Sequence, residues 1–200
     1  MSYPLAQLDR MLAGLVIPCY VVAVDLVDAK VRVSDGGDWT SAWVRWHALA
    51  AGKARHWRAP SMGEQGALVS PSGEPAQGTF VPGLYGNAGA QPDNRDHVEV
   101  WRFDDGGSLV YDWEANSYTI KLPSGTVNIE VGSSKAVVTD DAITAKSTAI
   151  SAEADSITAT AGMITLQGSV QIDGPLRVTG DILGLGKIID TGGNTANHKH

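Results

Sequence analysis

The sequence predicts a mainly β protein: an N-terminal OB-like barrel followed by an intertwined trimeric β-helix with a small metal-bound apex. Three observations carry the two large parts of that prediction. All 13 aromatic residues lie between Tyr3 and Tyr118, and the last 82 residues contain none. Short alternating apolar runs separated by turn signals fill the front of the chain. In the back, Ile143, Ile150, Ile157 and Ile164 recur every seven residues.

The helix comes first. Leu5, Leu8 and Leu12 share one face, Pro4 suits a first turn and Gly14 suits the position after the last turn, so residues 4–13 read as a short helix. A helix of this length is marginal alone and should dock on something. Next, Tyr20, Val22, Val24 and Leu26 alternate, Asp28-Ala29 offers a turn, and Val31 and Val33 resume the pattern. Asp35-Gly36-Gly37-Asp38 is a second turn, and Trp39 to Leu49 reads as a third strand with Val44 and Trp46 on one face. Gly66–Ser70 and Gly78–Val81 add two shorter strands around a Pro/Gly-rich turn. Five short strands over about 70 residues suggest a small Greek-key barrel.

Residues 86–96 form a linker by composition. Beyond it come two hairpin strands, Val98–Phe103 and Leu109–Trp113, and then runs over Tyr118–Leu122 and Thr126–Val131. The stretch 136–182 holds the repeat. A heptad first suggests a coiled coil, but Thr, Ser and Ile dominate, a second large apolar residue is lacking except near Leu166, and flanking ion pairs are absent. Within each unit the apolar residues sit two apart, as Ile143/Ala145, Ile150/Ala152, Ile157/Ala159 and Ile164/Leu166. That is strand alternation. Seven is odd, so the inward parity flips between units, and each unit must be a short strand followed by a corner. One Ile and one or two Ala per unit cannot close a core from one chain. Three chains wound about an axis would bring the stripes together in an interior too narrow for rings. A single-chain β-solenoid is the alternative.

Composition narrows function. Net charge is −7, divided as −5 on residues 1–118 and −2 on 119–200, so neither part has the basic balance of a dedicated nucleic-acid binder. A single cysteine, Cys19, excludes an intrachain disulfide framework, and the N-terminus, which lacks a basic n-region and carries Asp9, is a poor signal peptide, which points to synthesis in the cytoplasm. Between Trp39 and Gly63 there is no acidic residue, while Arg45, Arg55, Trp57 and Arg58 form a candidate docking surface for neighbouring proteins. An OB-type barrel with such residues could instead hold single-stranded nucleic acid, a reading the net charge disfavours. Asp93 to Glu114 is rich in carboxylates, but they fall on turns and alternating faces rather than around one pocket.

His198 and His200 are two residues apart, so in extended backbone both side chains leave one face. One pair is too few donors for tight metal binding; three chains on an axis would give six nitrogens, an octahedral set suited to a divalent first-row metal. A polar tail is the dull alternative.

The order of several short motifs resembles one family. These are Val24-Asp25 with Val31-Arg32-Val33, Gly36-Gly37-Asp38-Trp39-Thr40, Ala59 to Gly66, Ser70-Pro71-Ser72-Gly73, and Val81-Pro82-Gly83-Leu84-Tyr85. Further along come Phe103-Asp104-Asp105-Gly106-Gly107, Tyr111-Asp112, Leu122-Pro123-Ser124-Gly125, and Gly193-Asn194 before His198-Lys199-His200. Together they resemble baseplate assembly protein V, the central spike of contractile-tailed phages and R-type bacteriocins. The resemblance implies a homotrimer in the baseplate of a virion or tail-like particle, with its barrels in the tail hub and its needle piercing the bacterial outer membrane when the sheath contracts. It also implies one metal ion per trimer, iron, held by His198 and His200 from each of three chains. The corresponding division is residues 1–14 as helix, 15–88 as barrel, 89–182 as neck and shaft, and 183–200 as apex. No enzymatic role and no nucleic-acid partner are expected; the competing reading is a receptor-binding or polysaccharide-cleaving trimeric tail protein.

Overall fold

The structure is a computed structural model that describes residues 3–187 and 189. Contacts divide it into a first unit ending at Thr148 and a second beginning at Ala149.

Helix α1 spans Tyr3–Gly14 and is followed by five strands, β1 Val16–Asp25, β2 Lys30–Ser34, β3 Val44–Trp46, β4 Gln65–Val69 and β5 Thr79–Leu84. They close into a barrel in the order β1-β2-β3-β5-β4, with β3 and β5 the parallel pair and β4 returning to β1. This is the Greek-key order of an OB-type barrel. Its core is small: Cys19, Val21, Val31, Val33, Val44, Leu68 and Phe80. Phe80 and Leu68 are its largest fully buried side chains.

Two details of the barrel depart from simple alternation. On β1 the core side is Cys19 and Val21, and the register slips between Val21 and Ala23. That bulge resets the parity and lets Val24 pack against the core as well. The run from Trp39 to Leu49 is a strand only over Val44–Trp46. Before it the ladder is reduced to a bridge between Ser34 and Thr40 and the Ser41 amide donating to the Val33 carbonyl at 2.8 Å, and serine hydroxyls supplement it. Ser41 Oγ accepts from the Val33 amide at 2.9 Å and donates to the Ala42 carbonyl at 2.7 Å, while Ser34 Oγ donates to the Trp39 carbonyl at 2.8 Å.

Backbone contact positions α1. Its C-terminal end lies against the Pro71–Gly73 turn, where Gly73 has φ +71° and approaches the Met11 backbone too closely to admit a Cβ. The Ser70 amide donates to the Leu15 carbonyl at 2.8 Å. Leu5, Leu8 and Leu12 stay exposed within the chain, so the docking is made by the helix end and not by its apolar face.

Two three-stranded antiparallel sheets follow. The first contains β6 Val98–Arg102, β7 Ser108–Asp112 and β8 Ser117–Lys121. The second contains β9 Val127–Val131, β10 Ser134–Val138 and β11 Ile143–Lys146. The carboxylate-rich stretch holds the first sheet's entry in place. Arg95 grips both oxygens of Asp93, at 3.1 Å to Oδ1 and 2.8 Å to Oδ2, and reaches Asp112 Oδ2 at 3.0 Å. Asp112 Oδ1 accepts from the amides of Glu114 and Ala115, closing the β7–β8 turn. The Arg95 hydrogen bonds hold the Asp93 carboxyl well below the ordinary carboxylate range. Asp112 is also lowered, chiefly by the Ala115 amide, with desolvation opposing the shift and the charges of His97 and Arg95 adding to it.

Two predictions follow from this packing. Phe80→Ala should cost about 3–5 kcal/mol and Gly66→Ala about 1–3 kcal/mol in urea unfolding of the barrel, the first by cavity formation and the second by overpacking. A Cβ on Gly66 would collide with the Val81 carbonyl and the Phe80 ring, so a neutral Gly66→Ala would contradict this packing. Both aspartates titrate below their unfolded value of about 3.9. The unfolded chain therefore binds protons first as pH falls, and the stabilisation is complete above about pH 4 and lost on further acidification. Melts from pH 7 to pH 2 should show this loss in the wild type and a shallower acid slope in Asp93→Asn/Asp112→Asn.

Candidate assembly interface

Registers in the second sheet sort its side chains into two faces. Val127, Val138 and Ile143 align across the three strands, as do Ile129, Ala136 and Ala145, with Val131 beyond them opposite Ser134. The other face carries Asn128, Glu130, Lys135, Val137, Thr144 and Lys146. Such an amphipathic sheet needs a cover on its apolar side. Among the described residues of one chain nothing supplies it: Ile129 and Val131 are largely exposed and Ile143 is 82% exposed.

The sevenfold spacing changes character after this sheet. Ile143 lies in an intrachain hairpin, whose turn is tied by the Thr139 amide donating to the Ala142 carbonyl at 2.9 Å and the Ala142 amide donating to Thr139 Oγ1 at 3.1 Å. The sequence places 136–146 inside the repeat, whereas the structure makes them part of a local meander in which β10 pairs with β9 and β11 with β10. Among the described residues the later units at Ile150, Ile157 and Ile164 take part in no strand ladder, and each isoleucine is exposed. A strand-forming repeat with its backbone and its apolar residues both unpartnered is built to be completed from outside the chain.

The barrel residues singled out by sequence are placed separately. Trp57 lies against Trp46, with ring centroids 5.5 Å apart, and Trp39 and Trp46 pack on the rim of the barrel core. Arg45 is exposed on β3, and Arg55 is exposed with its Nε donating to the Gly52 carbonyl at 3.4 Å. Arg58 is exposed along its stem, but its guanidinium forms a two-pronged ion pair with Glu64. Sequence reasoning did not pair these two residues, which lie six positions apart across a turn. The His56 ring also meets Trp101 edge-on at 6.2 Å, so the basic loop touches the first neck sheet.

His198 and His200 lie outside the described residues. Among the described residues no group of three or more His, Cys, Asp or Glu side chains could hold a metal ion, and no helix is long and apolar enough to cross a membrane. Cys19 is buried against the barrel core, and burial pushes its thiol up to about 11, so it behaves as a small apolar side chain.

Comparison with known proteins matches these parts in turn. Residues 17–85 match the Type VI secretion system/phage-baseplate injector OB domain. Residues 99–160 match the β-helical trimerization domain of Gp138. The chain is also 29% identical over 199 residues to the spike protein of Escherichia phage P2, a match covering 97% of this chain and 90% of that protein. The order of these matches, an injector OB domain and then a β-helical trimerization domain, is the order that the resemblance to the baseplate V spike proteins implies.

Proposed function

We propose that this protein is the central spike of a contractile tail, a homotrimer that sits in the baseplate and is driven through the bacterial outer membrane when the sheath contracts. The observation that carries this reading is the set of uncovered apolar residues, on the second sheet and again at Ile150, Ile157 and Ile164, most of them in residues similar to a trimerization domain. Three copies cover those residues for one another. The small side chains then set a thin shaft, and the backbone groups that find no partner in one chain bond between chains.

The reading is mechanical and assigns no reaction to the protein. Among the carboxylates of residues 93–114, Asp93 and Asp112 already serve Arg95 and the turn amides. A shaft closed by interchain pairing has no free sheet edge from which it could be peeled under load. The barrel remains a separate small core, suited to sitting in a hub, and Arg45, Arg55 and Trp57 are exposed on it for contacts with neighbouring tail proteins. Arg58 contributes less freely, because Glu64 already holds its charge.

His198 and His200 would hold a metal ion where three chains meet, and iron is the metal the family resemblance implies. Six imidazole nitrogens from three chains suit a divalent first-row ion better than a hard oxygen-seeking one. When bound, the ion supplies a crosslink between three chain ends rather than a catalytic centre.

Light scattering should give three times the 21.0-kDa chain mass for the wild type. Ile157→Asp, which would force three carboxylates into one narrow interior, should lower that mass or send the protein into aggregates. A wild-type monomer would remove the proposal. For the metal, elemental analysis of purified trimer should give about one ion per three chains on the six-donor argument, and His198→Ala/His200→Ala should lose it while keeping the trimer mass. Equal metal in both proteins would reject the histidine assignment and leave the trimer standing.

A further inference from the structure

We infer that residues 93–97 are a strap that turns the linker between barrel and neck into a stiff joint, with Arg95 as its positioning residue. The joint is built from contacts within one chain. Its use, passing thrust from the barrel to the shaft, rests on the spike reading above.

Composition alone predicts a tether. Residues 86–96 include Gly86, Asn87, Gly89 and Asn94, and a flexible chain of that length would span about 18 Å with no fixed direction. The structure instead anchors this segment at both ends. At the barrel end, Gly86 and Gly89 exchange amide-to-carbonyl hydrogen bonds in both directions, at 3.0 and 3.1 Å. Gly86 lies so close to the Gln65 side-chain amide that a Cβ there would collide with it. The Ala88 Cβ sits 3.6 Å from where a Cβ on Gly63 would stand. The small loop 86–89 is therefore seated on the barrel beside the start of β4.

At the neck end, three ties join residues 93–97 to the end of β7 and the turn after it. Arg95 holds both Asp93 oxygens and reaches Asp112 Oδ2 at 3.0 Å. The His97 ring lies 3.2 Å from Glu114 Oε2, and the Trp113 amide donates to the His97 carbonyl at 3.2 Å. A lone surface ion pair fixes little, because ordering two long side chains offsets most of the attraction. Here one guanidinium serves two carboxylates, and the Asp112 side chain is only 12% exposed. Asp112 is itself held in place by the Glu114 and Ala115 amides, so Arg95 meets a carboxylate that is already oriented.

What remains between the two anchors is Ala90-Gln91-Pro92. Proline fixes its own φ and keeps the residue before it extended, so two of these three residues are restricted. Even as free chain, three residues would span about 10 Å. The edge of the His56 ring on Trp101 crosses the same gap, from the basic loop of the barrel to β6. A short restricted span with a side-chain contact beside it leaves little of the hinge that the composition suggests.

Limited digestion of the assembled protein with subtilisin, with the cut sites read by mass spectrometry, tests the strap. Cuts between residues 86 and 96 should accumulate roughly tenfold faster in Arg95→Gln than in the wild type, because cleavage there waits on local opening of the segment. Lys53→Gln, the same loss of charge on an exposed barrel residue, should keep the wild-type rate. Equal rates in wild type and Arg95→Gln would overturn the inference. If Arg95→Gln does not fold, hydrogen exchange of the wild type decides. The Arg95 amide, bonded to Asp93 Oδ1, and the Trp113 amide should then exchange roughly tenfold more slowly than that of exposed Gln91, and exchange at the Gln91 rate would reject the strap. A wild-type monomer in light scattering would remove the spike reading and leave the strap to stand or fall on these rates.

Discussion

The constraint on which the structure depends is that a thin β-layer with one apolar face cannot exclude water from that face by itself. The barrel escapes it by closing, since β4 returns to β1 and the sheet becomes its own cover. The two sheets after it are three strands each and stay open, with apolar residues aligned on one side. Past Lys146 the described residues form no intrachain ladder, although the alternation of Ile with Ala or Leu continues. Self-sufficiency thus declines along the chain, from a closed barrel to open sheets to unpaired repeats. Dependence on other copies rises in the same order.

This gradient explains why the parts were unequally legible in the sequence. Alternating valines and turn glycines reveal the barrel because its strands pair locally and bury one face. Two features were hidden for physical reasons. The bulge between Val21 and Ala23 shifts which residues face inward, and no composition signal marks it. The stretch before β3 has strand-like residues, yet Ser34 and Ser41 satisfy its backbone from side chains, which a propensity reading cannot foresee. The repeat misled in a different way. Its spacing begins at Ile143, but the hydrogen bonds of Ile143 belong to a hairpin, so periodicity in sequence and pairing in space start at different residues.

The interface residues were legible in kind before they were legible in place. Isoleucines at a constant interval imply an interior, and the absence of aromatics implies a narrow one. What the sequence could not order was the neck. Its carboxylates, aromatics and aliphatics are interleaved one by one, and only the register separates Asp112 and Arg102 on one face from Tyr111 and Trp101 on the other. The Arg95 clasp is similarly long-range, joining residues 17 positions apart. The basic segment was legible as a cluster but not as separate tasks: Trp46 at the core rim, Trp57 tilted against it, Arg58 tied to Glu64, and His56 on Trp101.

The loss of aromatics after Tyr118 follows from the same constraint. A ring can be buried between chains only where the enclosed space is wide enough to receive it, and otherwise the small and branched side chains that remain must fill the interior at native density. The first neck sheet offers Trp101, Tyr111 and Tyr118 on one face, while the next sheet offers Val, Ile and Ala on its own. The substitution of aliphatic for aromatic residues therefore takes place between two sheets that each leave an apolar face open, not at the edge of the barrel.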